Sequence, residues 1–186
     1  MLAGKTVLIG VTGGVAAHYI PELIGQLRWR HMVNVQVMMT PAATRFIMPL
    51  TLEVASGNSV YADLWAAAQG SPVIHVQLAR LANIVLIAPA TANILAKLAH
   101  GLADDLVTLT VLATQAPVIL APAMHEEMWT KAVVQENVAK LKERGYHFVG
   151  PERGISSTGE VAEGRMASIG AIIARLIEIS EAERRA

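Results

Sequence analysis

Short apolar runs alternate with longer amphipathic segments along the whole of this 186-residue chain, and two of the runs are apolar without a break. Residues 84–88 (IVLIA) and 118–121 (VILA) offer no polar side to water, the pattern of strands covered on both faces. Further runs at 6–11, 33–39 and 146–149 also read as strands. Between them, Ile20, Leu23, Ile24 and Leu27 fall at helical spacing, so one stripe of that helix faces a sheet. Val134, Val138 and Leu141 repeat the pattern ahead of Gly145, which stands where a left-handed C-cap belongs. Ile169, Ile172, Ile173, Leu176 and Ile177 make a closing helix, with charged residues 181–185 fraying into solvent. Such alternation predicts an α/β fold: a Rossmann-like open parallel sheet with right-handed crossovers and helices on both faces. With no repeat and no linker, residues 1–186 read as a single domain. Two stretches fall outside the alternation. Residues 61–72 look like an exposed loop, and 150–166, glycine-rich and without periodicity, look like a flap over a site.

Composition narrows the class. Hydrophobic residues make up 53% of the chain but aromatics only 4%, so the surplus is aliphatic and Ala. A membrane span would explain it, but the most apolar stretch, 84–99, is broken by Pro89, Thr91, Asn93 and Lys97. The amino terminus lacks the layout of a signal peptide. The expectation is a cytoplasmic protein without a membrane partner and with apolar surface left for subunit contacts. Fifteen basic residues balance fifteen acidic ones, which argues against nucleic acid. Cysteine is absent, which excludes disulfides, zinc–thiolate sites, iron–sulfur clusters and a cysteine nucleophile.

The strand ends carry the polar chemistry. The first strand runs into Thr12, Gly13, Gly14 and Val15, and glycines at a strand-to-helix turn let backbone N–H groups approach an anion. The spacing is not G-x-G-x-x-G, and the second strand ends at Thr40 with no acidic residue for a ribose diol. A mononucleotide phosphate fits better than a dinucleotide, although a tight turn needing glycine explains the same residues. The third strand ends in Pro89, Ala90, Thr91, Ala92 and Asn93, where small residues admit a planar ligand. Thr91 and Asn93 there are either ligand contacts or helix caps. The fourth strand delivers Ala123, Met124 and His125, followed by Met128 and Trp129. His125 reads equally as a carboxylate contact or a solvated helix-start residue; Met128 reads as packing or an apolar ligand wall. Convergence of three such turns on the carboxyl edge of one sheet is the strongest signal.

His75 stands at a predicted helix start with no carboxylate beside it. His18, His31, His100 and His147 read as surface or cap residues. Asp104 and Asp105 are adjacent, and on a helix adjacent side chains point apart, so they read as first-turn dipole residues rather than a cation site. No metal-ligand spacing and no G-x-S-x-G elbow is present.

The motifs GVTGGVAA (10–17), PLTLEVASG (49–57), PATAN (89–93), GLADDL (101–106), APAMHEEMW (121–129) and TGEVAEGRM (158–166) together resemble one family. It is the homo-oligomeric flavin-containing cysteine decarboxylases, and the resemblance spans about residues 5–166. It implies FMN, with its phosphate on the Gly13 and Gly14 turn and near Thr40, and its ring against Pro89, Ala90, Thr91 and Asn93. Thr12, Val15, Ala123 and Met124 complete the cofactor set, with Phe46, in the helix after Thr40, beside the ring. The resemblance also implies trimers, stacked in some members into dodecamers, whose sites are completed by a neighbouring subunit. In the chemistry it implies, a cysteinyl thiol loses its proton and the β-carbon loses hydride to the flavin. The carboxylate of the resulting thioaldehyde lies β to C=S, so CO₂ departs and an enethiolate remains. His75 matches the family's catalytic histidine, for which a base or proton-relay role is expected.

Two positions depart from the family pattern. His125 stands where Asn usually grips the substrate, which assigns it both catalytic and substrate contact, with Met128 beside it. Thr158 stands on the flap where coenzyme A-type members usually carry a cysteine that returns reducing equivalents to the enethiol. His and Thr occur at these places in some bacterial coenzyme A-type sequences. The chain also ends where many such enzymes continue into a synthetase domain. From Thr158 and that ending, the leading expectation is oxidative decarboxylation of a precursor peptide's C-terminal cysteine to an aminoenethiol. The alternatives are phosphopantothenoylcysteine decarboxylation and a non-catalytic FMN-binding regulator.

Overall fold

Strands without a polar face need a helix layer on each side, and this requirement shapes the whole fold. The computed structural model describes residues 2–65, 73–155, 159 and 161–184. Its strands β1 (Thr6–Val11), β2 (Asn34–Met39), β3 (Val60–Tyr61), β4 (Ile84–Ala90), β5 (Val118–Pro122) and β6 (His147–Phe148) form one sheet. The order is β3-β2-β1-β4-β5-β6, and every neighbouring pair is parallel. The predicted fold class is therefore the observed one.

Alternate side chains of each strand enter different cores. Ile9, Val37, Leu86 and Ile119 pack with Ile24 and Leu27 of α1 (Ile20–His31), Leu52 of α2 (Pro49–Ser56) and Leu176 of α8 (Ile169–Ala182). On the other face Leu8, Met38, Ile87 and Leu120 pack with α3 (Ile74–Leu81), α4 (Ala92–His100), α5 (Leu106–Ala113) and α7 (Ala132–Glu143). Each fully buried Leu or Ile contributes roughly 1.5–3 kcal/mol, so the two-sided burial carries most of the stability. Gly145 has φ of +85° just beyond α7, the left-handed stop its position predicts.

The structure corrects several expectations. Tyr61, placed at the start of a loop, belongs to edge strand β3, which pairs with β2 through Val37–Val60 and Met38–Tyr61. Residues 62–65 form no helix or strand, as expected of a loop, and residues 66–72 lie outside the described residues. The stretch 150–166 is not structureless: β7 (Glu152–Ile155) and β8 (Val161–Arg165) form an antiparallel hairpin apart from the main sheet. Its short, glycine-bearing strands give no two-residue alternation to read. Phe46 is not within a helix but follows a short 3-10 turn, Ala43–Arg45. His147 is not a surface or cap residue; it lies half-buried in β6, with an Arg175 guanidinium nitrogen 3.4 Å from its Nδ1.

Candidate functional site

The strand order reverses direction between β1 and β4, and a crevice opens there at the carboxyl ends of the strands. It encloses about 580 Å³, within the range of ligand pockets. Thr12, Gly13 and Gly14 line it from β1, Thr40 from β2, and Thr91 and Asn93 from β4. Ala123, Met124 and His125 close it from β5, with Met128 from α6 (Glu126–Trp129). The three strand-end turns singled out by their composition thus meet in one place, together with Thr40 at the end of β2.

Local interactions explain how each turn is held. Thr12 is 2% exposed, and its hydroxyl donates to the Pro89 carbonyl at 2.6 Å, tying the end of β1 to the end of β4. Thr91 both lines the cleft and caps α4, its Oγ1 accepting the Ile94 N–H at 3.4 Å, so the capping and cleft-lining roles coexist. Thr40 is buried, and its Oγ1 accepts the Ala43 N–H at 3.3 Å. Neither glycine has positive φ, and only at Gly13 is glycine required for space. A Cβ on Gly13 would stand 2.6 Å from the Ala42 Cβ, so only glycine lets the turn after β1 pack on the turn after β2. Gly14 heads the 3-10 turn Val15–Tyr19 with no side-chain cap and lies over Thr91 and Pro89.

Other predicted residues stand elsewhere. Pro89 and Ala90 back the cleft rather than line it; Ala90 is fully buried and its carbonyl accepts the Ala123 N–H. Val15 lines a second cavity of about 300 Å³, between the 3-10 turn, the Ala123–Glu126 segment and the hairpin. Phe46 lies outside the cleft and is 49% exposed. His75, half-buried in the first turn of α3, is not part of the cleft wall of its own chain. Because α3 ends where β4 begins and packs along the sheet, its first turn points to the carboxyl edge. Thr158 lies outside the described residues.

Asp104 and Asp105, expected to be first-turn dipole residues, line the cleft wall together with Lys97, to which the sequence assigns no site role. Asp104 and Asp105 precede α5 instead of lying on it, and both converge on Lys97, 2.7 and 3.0 Å from its Nζ. Asp105 also caps α5 in a reciprocal box with Thr108. Burial pulls the Lys97 ammonium toward a lower pKa, but hydrogen bonds and charge from the two carboxylates outweigh it and leave the pKa raised. The Lys97 hydrogen bond holds the Asp104 carboxyl below the usual range. The signal was present in outline: Gly101 ends α4, so the chain can double back and bring position 104 to position 97. His18, set aside as a surface residue, is exposed but lines the second cavity with Tyr19, Glu163 and Arg165.

Besides His125 and the paired Lys97 cluster, the cleft offers uncharged groups: the backbone of the glycine turn, where the Gly14 N–H is already bonded to the Thr12 carbonyl, the hydroxyls of Thr40 and Thr91, and the Asn93 amide. Such a set suits a phosphate monoester at the β1–β2 end and a flat ring against the small residues after β4. Among the described residues, no group of three His, Cys, Asp or Glu could hold a metal ion, and no helix is long and apolar enough to cross a membrane.

Comparison with known proteins agrees with this geometry. The chain is 44% identical over 165 residues to the coenzyme A biosynthesis bifunctional protein CoaBC of Vibrio vulnificus, and 40% identical over 166 residues to that of Bacillus subtilis. Each match covers 89% of this chain, which spans about two fifths of the length of these curated relatives. Among solved structures, the FMN-dependent cysteine decarboxylase SpaF superposes with a TM-score of 0.85 at 37% identity, covering 97% of this chain and 99% of SpaF. A PPC decarboxylase mutant complexed with pantothenoylaminoethenethiol superposes with a TM-score of 0.86 at 29% identity, covering 95% and 98%. These relatives do not favour a peptide substrate over a pantothenate-derived one. Residues 1–180 match the family described as Flavoprotein, and the chain belongs to that family.

Proposed function

We propose that this chain is an FMN-dependent decarboxylase of a cysteinyl carboxylate and that its substrate is phosphopantothenoylcysteine. The observation that carries the reading is the convergence of the Gly13 and Gly14 turn, Thr40, Thr91, Asn93 and His125 on one cleft. Identity of 40–44% to CoaBC proteins favours this substrate over the peptide. The peptide C-terminal cysteine is the second reading, favoured by Thr158 in place of the flap cysteine; the likeness to SpaF along nearly the whole of both chains supports cysteine decarboxylation without choosing the substrate.

In this reading the turn after β1 and the hydroxyl of Thr40 would hold the FMN phosphate, and Thr91, Asn93, Ala123 and Met124 would accommodate the ring. Bound flavin supplies the two-electron acceptor that the cysteinyl β-carbon requires. The polypeptide supplies position and proton control. An imidazole N–H of His125 donates to the substrate carboxylate, holding it until CO₂ leaves, and Met128 shields that end of the cleft from water. The proton of the substrate thiol passes to an imidazole nitrogen of His75. Because His75 does not line its own cleft, it acts from a neighbouring copy in a homo-oligomer, trimeric or built from trimers. Phe46, Met48, and Leu50 and Val54 one turn apart on α2, expose apolar surface that such a neighbour would cover. The cytoplasm, where thiols stay reduced, suits the substrate.

The test is to incubate FMN-loaded protein with phosphopantothenoylcysteine and, separately, with a peptide ending in cysteine, and weigh the products. We expect phosphopantothenoylcysteine to lose the mass of CO₂ alone and the peptide to be unchanged. Loss of CO₂ alone requires the two electrons taken from the β-carbon to be returned to the enethiol, since an enethiol product would be lighter by two further hydrogens. Turnover of the peptide alone would overturn the substrate assignment, and turnover of neither would overturn the activity.

A further inference from the structure

The hairpin is joined to the His125 segment by a carbonyl and by a side chain that is not there. In β8 the Gly164 carbonyl accepts the Met124 N–H at 2.9 Å. Gly164 has φ of +128°, a conformation that L side chains rarely adopt. A Cβ at this position would overlap the Met124 carbonyl oxygen and stand 3.4 Å from the Glu126 nitrogen. The β8 backbone therefore lies flat on the segment from Met124 to Glu126, bonded to one peptide group and in contact with the next.

That segment separates the two cavities, with Met124 and His125 lining both. Upstream it is tethered to the sheet, because the Ala123 N–H is bonded to the Ala90 carbonyl at 3.0 Å. Downstream α6 is only four residues long, and the His125 side chain makes no capping hydrogen bond to it. The His125 carbonyl accepts the Met128 and Trp129 N–H groups at 3.0 Å each, and β8 adds a separate hold one residue upstream, at the Met124 N–H.

We propose that Gly164 is a positioning residue for the decarboxylation: it clamps β8 to the Met124 backbone and so sets where the His125 imidazole stands between the two cavities. Gly164 borders the second cavity but not the cleft, and the proposed role runs through Met124. The proposal rests on the reading of His125 as the group that grips the substrate carboxylate.

The test is Gly164→Ala in the full FMN-loaded chain. KM for the cysteinyl substrate is expected to rise about tenfold or more while the FMN Kd stays within about twofold of wild type. Exchange of the Met124 amide with deuterium is expected to speed up about tenfold or more, with the Ala123 amide unchanged. An unchanged KM, or a KM and an FMN Kd that worsen together, would overturn the positioning role. If the variant does not fold, the wild type decides: a Met124 amide exchanging at the unprotected rate would mean that no clamp exists, and protection comparable to Ala123 would support it. Turnover of neither cysteinyl substrate by the wild type would overturn the functional reading and the positioning role with it, whereas the Met124 amide reports on the clamp independently.

Discussion

Replacing Thr12 with valine tests the joint that holds the two halves of the cleft together. The side chain is 2% exposed, its hydroxyl donates to the Pro89 carbonyl at 2.6 Å, and its Oγ1 lies 3.4 Å from that of Thr91. Valine keeps the shape of threonine but cannot donate, so Pro89 is left with a buried carbonyl that has lost this donor. Stranding a buried acceptor costs about 1–3 kcal/mol. For a domain of this size each kcal/mol lowers the melting temperature by about 2–4 °C, so Thr12→Val should melt about 2–12 °C below wild type. The same joint sets the spacing between the Gly13 and Gly14 turn and the segment after β4. If about 1 kcal/mol is lost from the FMN-bound state alone, affinity falls about fivefold. Thermal unfolding at one fixed protein concentration and FMN titration followed by flavin fluorescence measure both effects. A variant that melts within about 1 °C of wild type and binds FMN equally well would refute the reasoning.

Three further outcomes can be checked separately. Asp105→Ala removes both the cap of α5 and one of the two carboxylates on Lys97, so unfolding should become easier by about 0.5–2 kcal/mol; an unchanged melting temperature would contradict the capping role. His147 has its pKa lowered first by burial and then by the charge of Arg175. Protonation therefore favours the unfolded chain: the contribution of His147 is fully present above its unfolded pKa of about 6.5 and is lost as pH falls through the lower folded value. Urea unfolding at about pH 7.5 and 5.5 should thus show a smaller acid loss for His147→Gln than for wild type, and equal losses would contradict the assignment. His75→Asn should keep its flavin spectrum while CO₂ release falls by about a hundredfold or more; unchanged release would remove His75 from the chemistry.

What the sequence revealed follows the physics of each element. β1 is found where expected, and β4 and β5 each run one or two residues further, because strands buried on both faces are written as unbroken apolar runs. β3 leaves no mark because two half-buried edge residues carry no pattern, and α2 does not show as a helix because it buries only Leu52 and Ser56. The hairpin was missed because its strands lie outside the main sheet, with Gly154 and Gly164 interrupting them. Within the site, the strand-end turns were legible because small and polar residues stand out after apolar strands. The Lys97, Asp104 and Asp105 cluster was not, because its assembly depends on where α4 stops. The Gly164 clamp joins residues forty positions apart and leaves no local mark, since its active feature is an absent side chain.

The central claim is that the crevice between the ends of β1 and β4 is built for a flavin mononucleotide. Titrating the purified chain with FMN, and counting flavin per chain after removal of the excess, tests it most directly. The account predicts a yellow protein that retains one FMN per chain, with binding weakened in Gly13→Ala, whose added carbon meets Ala42. A colourless protein that takes up no FMN would contradict it.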